Sequence, residues 1–229
     1  MQTEYVTFIA DFKIEDRLAY LSHQETLTLW RRVLVRGQVP LVYSQGFNPH
    51  PHIALPLPRS VGVQSDCERL CARVAAAGFC ARAAGEAIRP LLPDGCRLYA
   101  VEALPGKAAF YPMSVTYRFT LAAAPARHRQ NHFDACKLQT QAHEPVVFSR
   151  SAKNNRQQRV DIRPFLEELS HTGRVVQMRC AVRPEGTVRV DELMSWLGLE
   201  RDDLAEPVRR CAVRWVSETK FWKGQNTLS

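Results

Sequence analysis

The sequence SQGFNPHPH at residues 44–52, followed by IALPLP at residues 53–58, brings four prolines and one glycine into fifteen residues. Each proline fixes its own φ and biases the residue before it toward an extended conformation, while Gly46 permits a turn that a side chain would forbid. Such a run forms neither a regular helix nor a central strand. We therefore predict an ordered, stiff loop.

The side chains of this loop are unusually rich in hydrogen-bonding groups. A stiff loop can hold them toward a ligand with little ordering entropy left to lose on binding. The alternative is a proline-rich structural turn whose polar side chains only cap local backbone groups. The functional interpretation assigns nucleic-acid binding to Ser44, Gln45, Phe47 and Asn48, with His50 and His52 beside them.

Upstream of the loop, the sequence predicts a strand followed by a helix. Residues 4–12 are rich in β-branched and aromatic residues, which is typical of a strand. Ser22 and Glu25 form a capping box, so a helix begins there, and Gly37 is its expected end. Residues 39–43 are short and apolar, which suggests an edge strand. If this segment runs back along the helix, the loop lies beside His23.

Downstream, residues 66–74 alternate as a strand, residues 75–92 are alanine-rich and predict a helix, and residues 97–104 predict a closing strand. The order strand, helix, strand, strand, helix, strand is the ferredoxin-like (βαββαβ) arrangement, in which helices cover one face of an antiparallel sheet. We assign residues 1–105 to this N-terminal domain.

The second half, residues 108–229, predicts a C-terminal α+β domain. Strands are expected at residues 113–121, 145–149, 174–182 and 208–216, and helices at 129–141 and 190–197. This suggests a second copy of the layer, although no residue-level repeat is visible. The predicted fold class is therefore α+β, with two ferredoxin-like layers.

Residues 150–164 contain five basic residues and one acidic residue, and predict a hydrated loop leading into a short helix at 165–170. We expect its cations to hold phosphates. The alternative is a solvated loop in which Asp161 pairs with Arg163 or Arg159. A second candidate for nucleic-acid binding is the tail at 220–226, which mixes cations with two aromatic rings. The cations assigned to phosphate binding are Lys153, Arg156, Arg159 and Arg163.

Composition limits the class of protein. The chain of 229 residues has 31 Lys and Arg against 23 Asp and Glu, a net charge of +8, and this basic balance favours polyanions such as nucleic acid as partners. No apolar run is long enough for a membrane helix, and residues 1–5 lack the pattern of a signal peptide, so we expect a cytoplasmic protein without membrane association. The seven cysteines are expected to be reduced thiols, and their spacing matches neither a disulfide framework nor an iron–sulfur motif. We predict no cofactor.

Histidine chemistry offers a different class of function. Histidine titrates near neutral pH, so His23 and His50 could act as acid and base in a stand-alone phosphoryl-transfer or hydrolytic enzyme. No nucleophile with an orienting carboxylate is evident in the sequence. A weaker alternative is a metal site formed by His50 and His52 with His23, or by His128 and His132 at helical i, i+4 spacing.

Three stretches carry a resemblance to a known family: YLSH at residues 20–23, SQGFNPHP at 44–51 and VDIRP at 160–164. Together they resemble the radical-SAM-linked protein family of uncharacterised function, whose members are typically encoded beside, or fused behind, a radical SAM protein. Gln24 and Glu25 stand where the family usually has leucine and aspartate. The resemblance implies an association with radical chemistry and RNA. We therefore expect an RNA-binding accessory protein that presents RNA to a partner radical SAM enzyme in RNA modification or processing.

Overall fold

The computed structural model describes residues 4–151 and 157–217. The chain forms two compact units, one of residues 4–112 with 215–217 and one of residues 113–214. In its described residues each unit contains strands and two α-helices, so the α+β class is confirmed. Among the described helices, none combines the length and the apolar character that crossing a bilayer requires.

The first unit places two helices on one face of an antiparallel sheet. Its elements are β1 (Tyr5–Ile14), α1 (His23–Arg36), β2 (Ile53–Ala54), β3 (Gln64–Ala75), α2 (Ala81–Ile88) and β4 (Cys96–Pro105). The strands β1, β3 and β4 pair in the order β4-β1-β3, and the short β2 pairs with β3.

Alternation along β1 and β3 decides which sheet face is buried under the helices. On β1 the core face carries Phe8 and Phe12, and on β3 it carries Leu70 and Val74. Trp30 of α1 is fully buried against this face, with its ring centroid 4.6 Å from that of Phe12. Because successive side chains in a strand point to opposite faces, the intervening residues of both strands lie on the other side of the sheet.

The predicted start and end of the first helix are confirmed. The Ser22 hydroxyl accepts from the Glu25 amide, and the Glu25 carboxylate accepts from the Ser22 amide at 2.8 Å. Gly37 is the residue at which α1 ends. The local sequence is therefore sufficient to define α1.

The prediction of a helix over residues 75–92 is wrong at its start. β3 continues through Ala75, which pairs with Tyr5, and Gly78 has a φ of +68°, so α2 begins only at Ala81. The high helix propensity of alanine is outweighed by ladder hydrogen bonds at the end of the strand. Residues 39–43 also form less than a strand, since they contribute only isolated bridges, at Leu41 and Tyr43.

The second unit contains a sheet and a separate two-stranded ribbon. Its elements are β5 (Phe110–Thr120), α3 (Arg127–Gln139), β6 (Val147–Ser151), β7 (Gln157–Asp161), β8 (Leu166–Thr172), β9 (Val175–Ala181), α4 (Val190–Trp196) and β10 (Arg209–Ser217). The sheet has the order β10-β5-β9-β8, and the ribbon is β6-β7. The core includes Phe119 of β5, Phe133 of α3 and Met178 of β9, all fully buried.

Two predictions in the second unit are corrected. The basic loop at 150–164 is a β-ribbon in its described part, because β6 and β7 pair from Val147↔Asp161 to Ser151↔Gln157. The short helix at 165–170 is the strand β8. Leu166 and Leu169 are three residues apart, as on a helix, yet both are buried in a strand because the register shifts between Leu166 and Glu168.

Candidate functional site

The loop at 44–50 is closed by hydrogen bonds at its base. The Ser44 amide donates to the His50 carbonyl at 2.8 Å, and the His52 amide donates to the Val42 carbonyl at 3.0 Å. The Ser44 hydroxyl accepts from the His50 amide at 3.0 Å. Ser44 was predicted to contact a ligand. One lone pair of its hydroxyl oxygen stabilises the loop, and the hydroxyl proton stays available to donate to another group.

At the tip of this loop, an aromatic side chain stands in solvent. Gly46 has a φ of +126°, a backbone conformation that side chains disfavour, and it turns the chain immediately before Phe47. Phe47 is fully exposed, at 106% of its reference area. Gln45, Asn48 and His50 are exposed around it.

The two ends of the loop are both hydrogen-bonded to Arg73 of β3. The Val42 amide donates to the Arg73 carbonyl and the Arg73 amide donates to the His52 carbonyl, each at 2.9 Å. The Arg73 guanidinium lies over the ring of Tyr5, 5.3 Å from the ring centroid, in a cation–π contact. Arg73 thus fixes the loop through its backbone and carries a positive charge beside it.

Next to Arg73 lies a pocket of about 310 Å³, here called the Arg73 pocket. Its walls are mostly apolar, and its charged side chains are Arg73 and Lys107, with the imidazole of His52. The lining residues are Thr7, His52, Ile53, Ala54, Pro56, Cys71, Ala72, Arg73, Lys107, Ala108, Ala109 and Phe110.

One buried hydroxyl shapes the wall that carries Lys107. Thr7 Oγ1 donates to the Gly106 carbonyl at 2.7 Å and accepts from the Ala108 amide at 2.9 Å. Thr7 is buried on the sheet face opposite the helices. The two bonds hold residues 106–108 against the end of β1 and so fix one side of the pocket.

The cations of the pocket differ from their neighbour Arg69. Arg69 is neutralised by Asp11, which it faces across the β1–β3 ladder with two contacts of 2.7 Å. Neither Arg73 nor Lys107 pairs with a carboxylate among the described residues. The thiol of Cys71 also lines the pocket, but burial raises its pKa to about 12, so it is protonated at neutral pH. The pocket is therefore suited to binding an anion, and its thiol is not an activated nucleophile.

His23 and His50 lie on different elements, His23 at the start of α1 and His50 in the 44–50 loop. His23 is the first residue of α1, and burial lowers its pKa, an effect partly opposed by the charge of Glu68. The 44–50 loop is held at Arg73, which is five residues from Glu68 along β3, about 17 Å of strand. The assignment of the two histidines as acid and base stays a prediction.

The predicted phosphate-binding cations are in several environments. Arg159 is exposed on β7, whereas Arg163 donates from Nε to the Ala142 carbonyl at 2.5 Å and has a structural role. Asp161 accepts from the Val146 and Arg163 amides, so it caps the backbone. Lys153, Arg156 and the tail at 220–226 lie outside the described residues.

The residues considered for metal binding are not gathered into a site. Within residues 4–151 and 157–217, no group of three His, Cys, Asp or Glu side chains could hold a metal ion. His132 Nε2 lies 3.1 Å from the Trp196 carbonyl and 3.5 Å from Cys136 Sγ, which ties it to the packing between α3 and α4.

Sequence reasoning missed Thr7, Arg73 and Lys107. Arg73 had been assigned to an alternating strand, and Lys107 to a boundary between domains, with no sign that the two meet. Their proximity depends on the pairing of β1 with β3 and on the return of residues 106–110 along that sheet. No local pattern encodes such a contact.

Comparison with known proteins identifies a family for this chain. The family described as "Uncharacterized protein conserved in bacteria (DUF2344)" matches residues 8–190. No curated protein matches the chain. Among solved structures, a chain of a Cbf5-Nop10-Gar1 complex is similar at 13% identity with a TM-score of 0.39, covering 89% of this chain and 48% of that chain. This chain therefore spans about half the length of that neighbour.

Proposed function

The chain belongs to the DUF2344 family of uncharacterised proteins conserved in bacteria, and on that premise we propose that it is an RNA-binding module that presents single-stranded RNA to a partner enzyme. The observation that carries this proposal is Phe47, held fully exposed at the tip of a hydrogen-bonded loop whose base enters the Arg73 pocket.

The exposure of Phe47 needs a reason, because burying a phenylalanine side chain is favourable by about 1.5–3 kcal/mol. The ring has no structural role in the loop, which is closed by backbone hydrogen bonds and the Ser44 hydroxyl. Unstacked bases of single-stranded RNA stack on aromatic side chains of this kind, while cations nearby hold the phosphates. Phe47 and Arg73 supply both functions on one surface.

The polar side chains around Phe47 fit the same ligand. Gln45 and Asn48 are exposed next to the ring, and each amide can both donate and accept. Such groups hydrogen-bond base edges and the ribose 2′-hydroxyl, which distinguishes RNA from DNA. We assign base stacking to Phe47, base and ribose contacts to Gln45 and Asn48, and phosphate contacts to Arg73.

Fluorescence anisotropy with a labelled single-stranded RNA, measured over a range of salt concentrations, tests the proposal. We expect affinity to fall as salt rises, since each neutralised phosphate adds about 0.7 to the slope of log affinity against log salt for a single strand. Phe47→Ala is expected to weaken binding by about 1–3 kcal/mol, the range for one base stacked on a ring.

Leu138→Ala is the matched control, because Leu138 is an exposed apolar residue (68%) on α3. It removes exposed apolar surface without touching the loop, so RNA affinity should stay at the wild-type value. Binding that does not respond to salt, or a Phe47→Ala protein that binds as tightly as the Leu138→Ala protein, would contradict the proposal.

The proposed partner is a radical SAM enzyme, and the proposed process is RNA modification or processing in the cytoplasm. The support is the resemblance of residues 20–23, 44–51 and 160–164 to the radical-SAM-linked proteins. Co-expression with a radical SAM protein encoded beside this chain, followed by affinity purification, should recover a complex. Separate elution of the two proteins, with and without RNA, would remove this part of the proposal.

We also propose that each unit is a ferredoxin-like layer. In the first unit, the strand order β4-β1-β3-β2 with helices after β1 and β3 supports this assignment. In the second unit, β10-β5-β9-β8 supports it in the same way, with the β6-β7 ribbon inserted between α3 and β8.

A further inference from the structure

The Arg73 pocket combines unpaired positive charge with apolar walls, and we infer that it receives the terminal nucleotide of an RNA strand that ends in a phosphate monoester. The inference rests on the RNA-binding function proposed above and specifies which part of the RNA the pocket takes. It adds a preference for phosphorylated ends to what would otherwise be binding along the strand.

The charge of the pocket distinguishes a terminal phosphate from an internal one. An internal phosphodiester carries one negative charge, whereas a phosphate monoester carries about −1.5 to −2 at pH 7. Arg73 and Lys107 contribute two positive charges to the same pocket, and the imidazole of His52 adds a further hydrogen-bonding group. The two positive charges balance the charge of a monoester dianion. A diester, with one negative charge, would neutralise only one of them.

The size and the walls of the pocket fit a single nucleotide. About 310 Å³ is at the lower end of the range for small-molecule sites, so the pocket admits one nucleoside and not a helix. Apolar side chains line most of it, which suits the faces of a base and a ribose. These side chains are those of Ala54, Pro56, Ala108, Ala109 and Phe110.

Both cations lie on segments whose backbone is held in place by hydrogen bonds. Arg73 is held by its contact with the Tyr5 ring and by two backbone hydrogen bonds to the base of the loop. Lys107 lies between Gly106 and Ala108, the two residues that Thr7 Oγ1 binds. A site whose backbone is already ordered loses little entropy when the ligand binds.

The loop gives the strand a direction away from the pocket. His52 lines the pocket and Ser44 pairs with His50 at the base of the loop, whose tip is Phe47. A terminal nucleotide in the pocket would therefore be followed by nucleotides that can stack on Phe47. This explains why the exposed ring is on a loop whose base enters a cationic pocket.

The test compares internally labelled single-stranded RNAs of one sequence that differ only at their ends: a phosphate or a hydroxyl at the 5′ end, and a phosphate or a hydroxyl at the 3′ end. Anisotropy titrations with the full chain should show that a phosphate at one of the two ends tightens binding about tenfold, the gain expected for charge-assisted hydrogen bonds. Arg73→Gln and Lys107→Gln should each remove most of that gain.

Arg82→Gln is the matched control, because Arg82 is an exposed arginine of α2 paired with Glu86 and stands outside the pocket. The gain from the terminal phosphate should be unchanged in it. Arg73→Lys keeps the charge and should keep part of the gain, which separates loss of charge from loss of fold. Circular dichroism of every variant checks that the fold is retained.

The outcomes separate this inference from the proposed function. Equal affinity for all RNAs whatever their ends, or a gain that persists in Arg73→Gln and Lys107→Gln, overturns the inference and leaves RNA binding intact. No binding of any RNA at low salt overturns both. A nucleoside monophosphate that competes as strongly as the phosphorylated RNA shows that the pocket takes free nucleotides, and this too overturns the inference.

Discussion

Arg150 and Glu192 form a bidentate ion pair that fastens the β6-β7 ribbon to the start of α4. The guanidinium Nε and Nη2 donate to the two carboxylate oxygens at 2.6 and 2.7 Å, and Nη2 also donates to the Thr187 carbonyl at 3.0 Å. The side chains are only 17% and 6% exposed. Arg150 is therefore engaged in the fold, although the sequence placed it in a cluster of cations available to phosphates.

Removing Arg150 should destabilise the protein because it leaves a buried carboxylate without its partner. Breaking a pair of this kind costs about 3 kcal/mol or more. We expect Arg150→Ala to lower the free energy of unfolding by that amount in urea denaturation. Arg159→Ala, at an exposed position of the same ribbon, should change stability by less than about 0.5 kcal/mol. Equal losses in the two variants would show that the ion pair does not stabilise the ribbon.

Gly95 should tolerate no side chain. It has a φ of +85°, and a Cβ at this position would lie 2.7 Å from the Glu15 carbonyl oxygen, which is a backbone atom. We expect Gly95→Ala to cost more than the roughly 1 kcal/mol of a left-handed backbone alone. Gly78→Ala is the control, since its φ is +68° and nothing lies within 4 Å of the added Cβ. Thermal unfolding should show a clearly larger loss for Gly95→Ala, and a loss no larger than that of Gly78→Ala would contradict the steric argument.

Thr7→Val should loosen the wall of the Arg73 pocket. The substitution keeps the shape of the side chain but removes the hydroxyl that bonds the Gly106 carbonyl and the Ala108 amide. Leaving buried polar groups without partners costs about 1–3 kcal/mol. Thr28→Val is the control, because the Thr28 hydroxyl bonds a helix carbonyl, that of Gln24. In urea denaturation Thr7→Val should lose more stability than Thr28→Val. A smaller loss would mean that the two hydrogen bonds of the Thr7 hydroxyl do not stabilise the pocket wall.

His23 should make stability depend on pH below neutrality. Burial lowers its pKa from the ordinary value of 6.5, so below that pH the unfolded chain binds a proton more readily than the folded one. Its contribution is therefore fully present above pH 6.5 and is lost as the pH falls through the lowered pKa. We expect urea denaturation at pH 7.5 and 5.5 to show a smaller loss on acidification for His23→Gln than for the wild type.

His50→Gln is the comparison for His23→Gln, because His50 is exposed on the 44–50 loop. It should retain the wild-type loss of stability on acidification. If His23→Gln loses as much stability as the wild type between the two pH values, burial of His23 is not the cause of the pH dependence.

Much of the fold of the first unit follows from local sequence. The alternation in residues 5–14 gives β1, and the Ser22–Glu25 capping box with the apolar spacing from Leu27 to Leu34 gives α1. Prediction failed where local propensity and tertiary pairing disagree. Residues 75–80 are rich in alanine, but Ala75 belongs to β3 and the other residues follow this strand without forming a helix. Leu166 and Leu169 have helical spacing, but both lie on a bulged strand.

The candidate site was predicted only in part. The loop at 44–52 was expected from its prolines and glycine, and it is closed by its own hydrogen bonds. The sequence offered no reason to join this loop to Arg73 or Lys107, which are 21 and 55 residues beyond His52. The sequence also offered no reason to exclude Arg150 and Arg163 from the cations that bind phosphates. Their partners, the Glu192 side chain and the Ala142 carbonyl, are distant in sequence.

The amino-acid sequence by itself determined the stiff loop, the start of α1, the alternating strands and the basic balance, because each depends on backbone restrictions, local capping or composition. Only the tertiary structure determined which described cations have no carboxylate partner and which residues line the Arg73 pocket. Ion pairing and burial depend on distances between residues remote in sequence, and strand register sets those distances. A shift of β3 by one residue against β1 would turn Arg73 from the Tyr5 side of the sheet to the core face and remove the site.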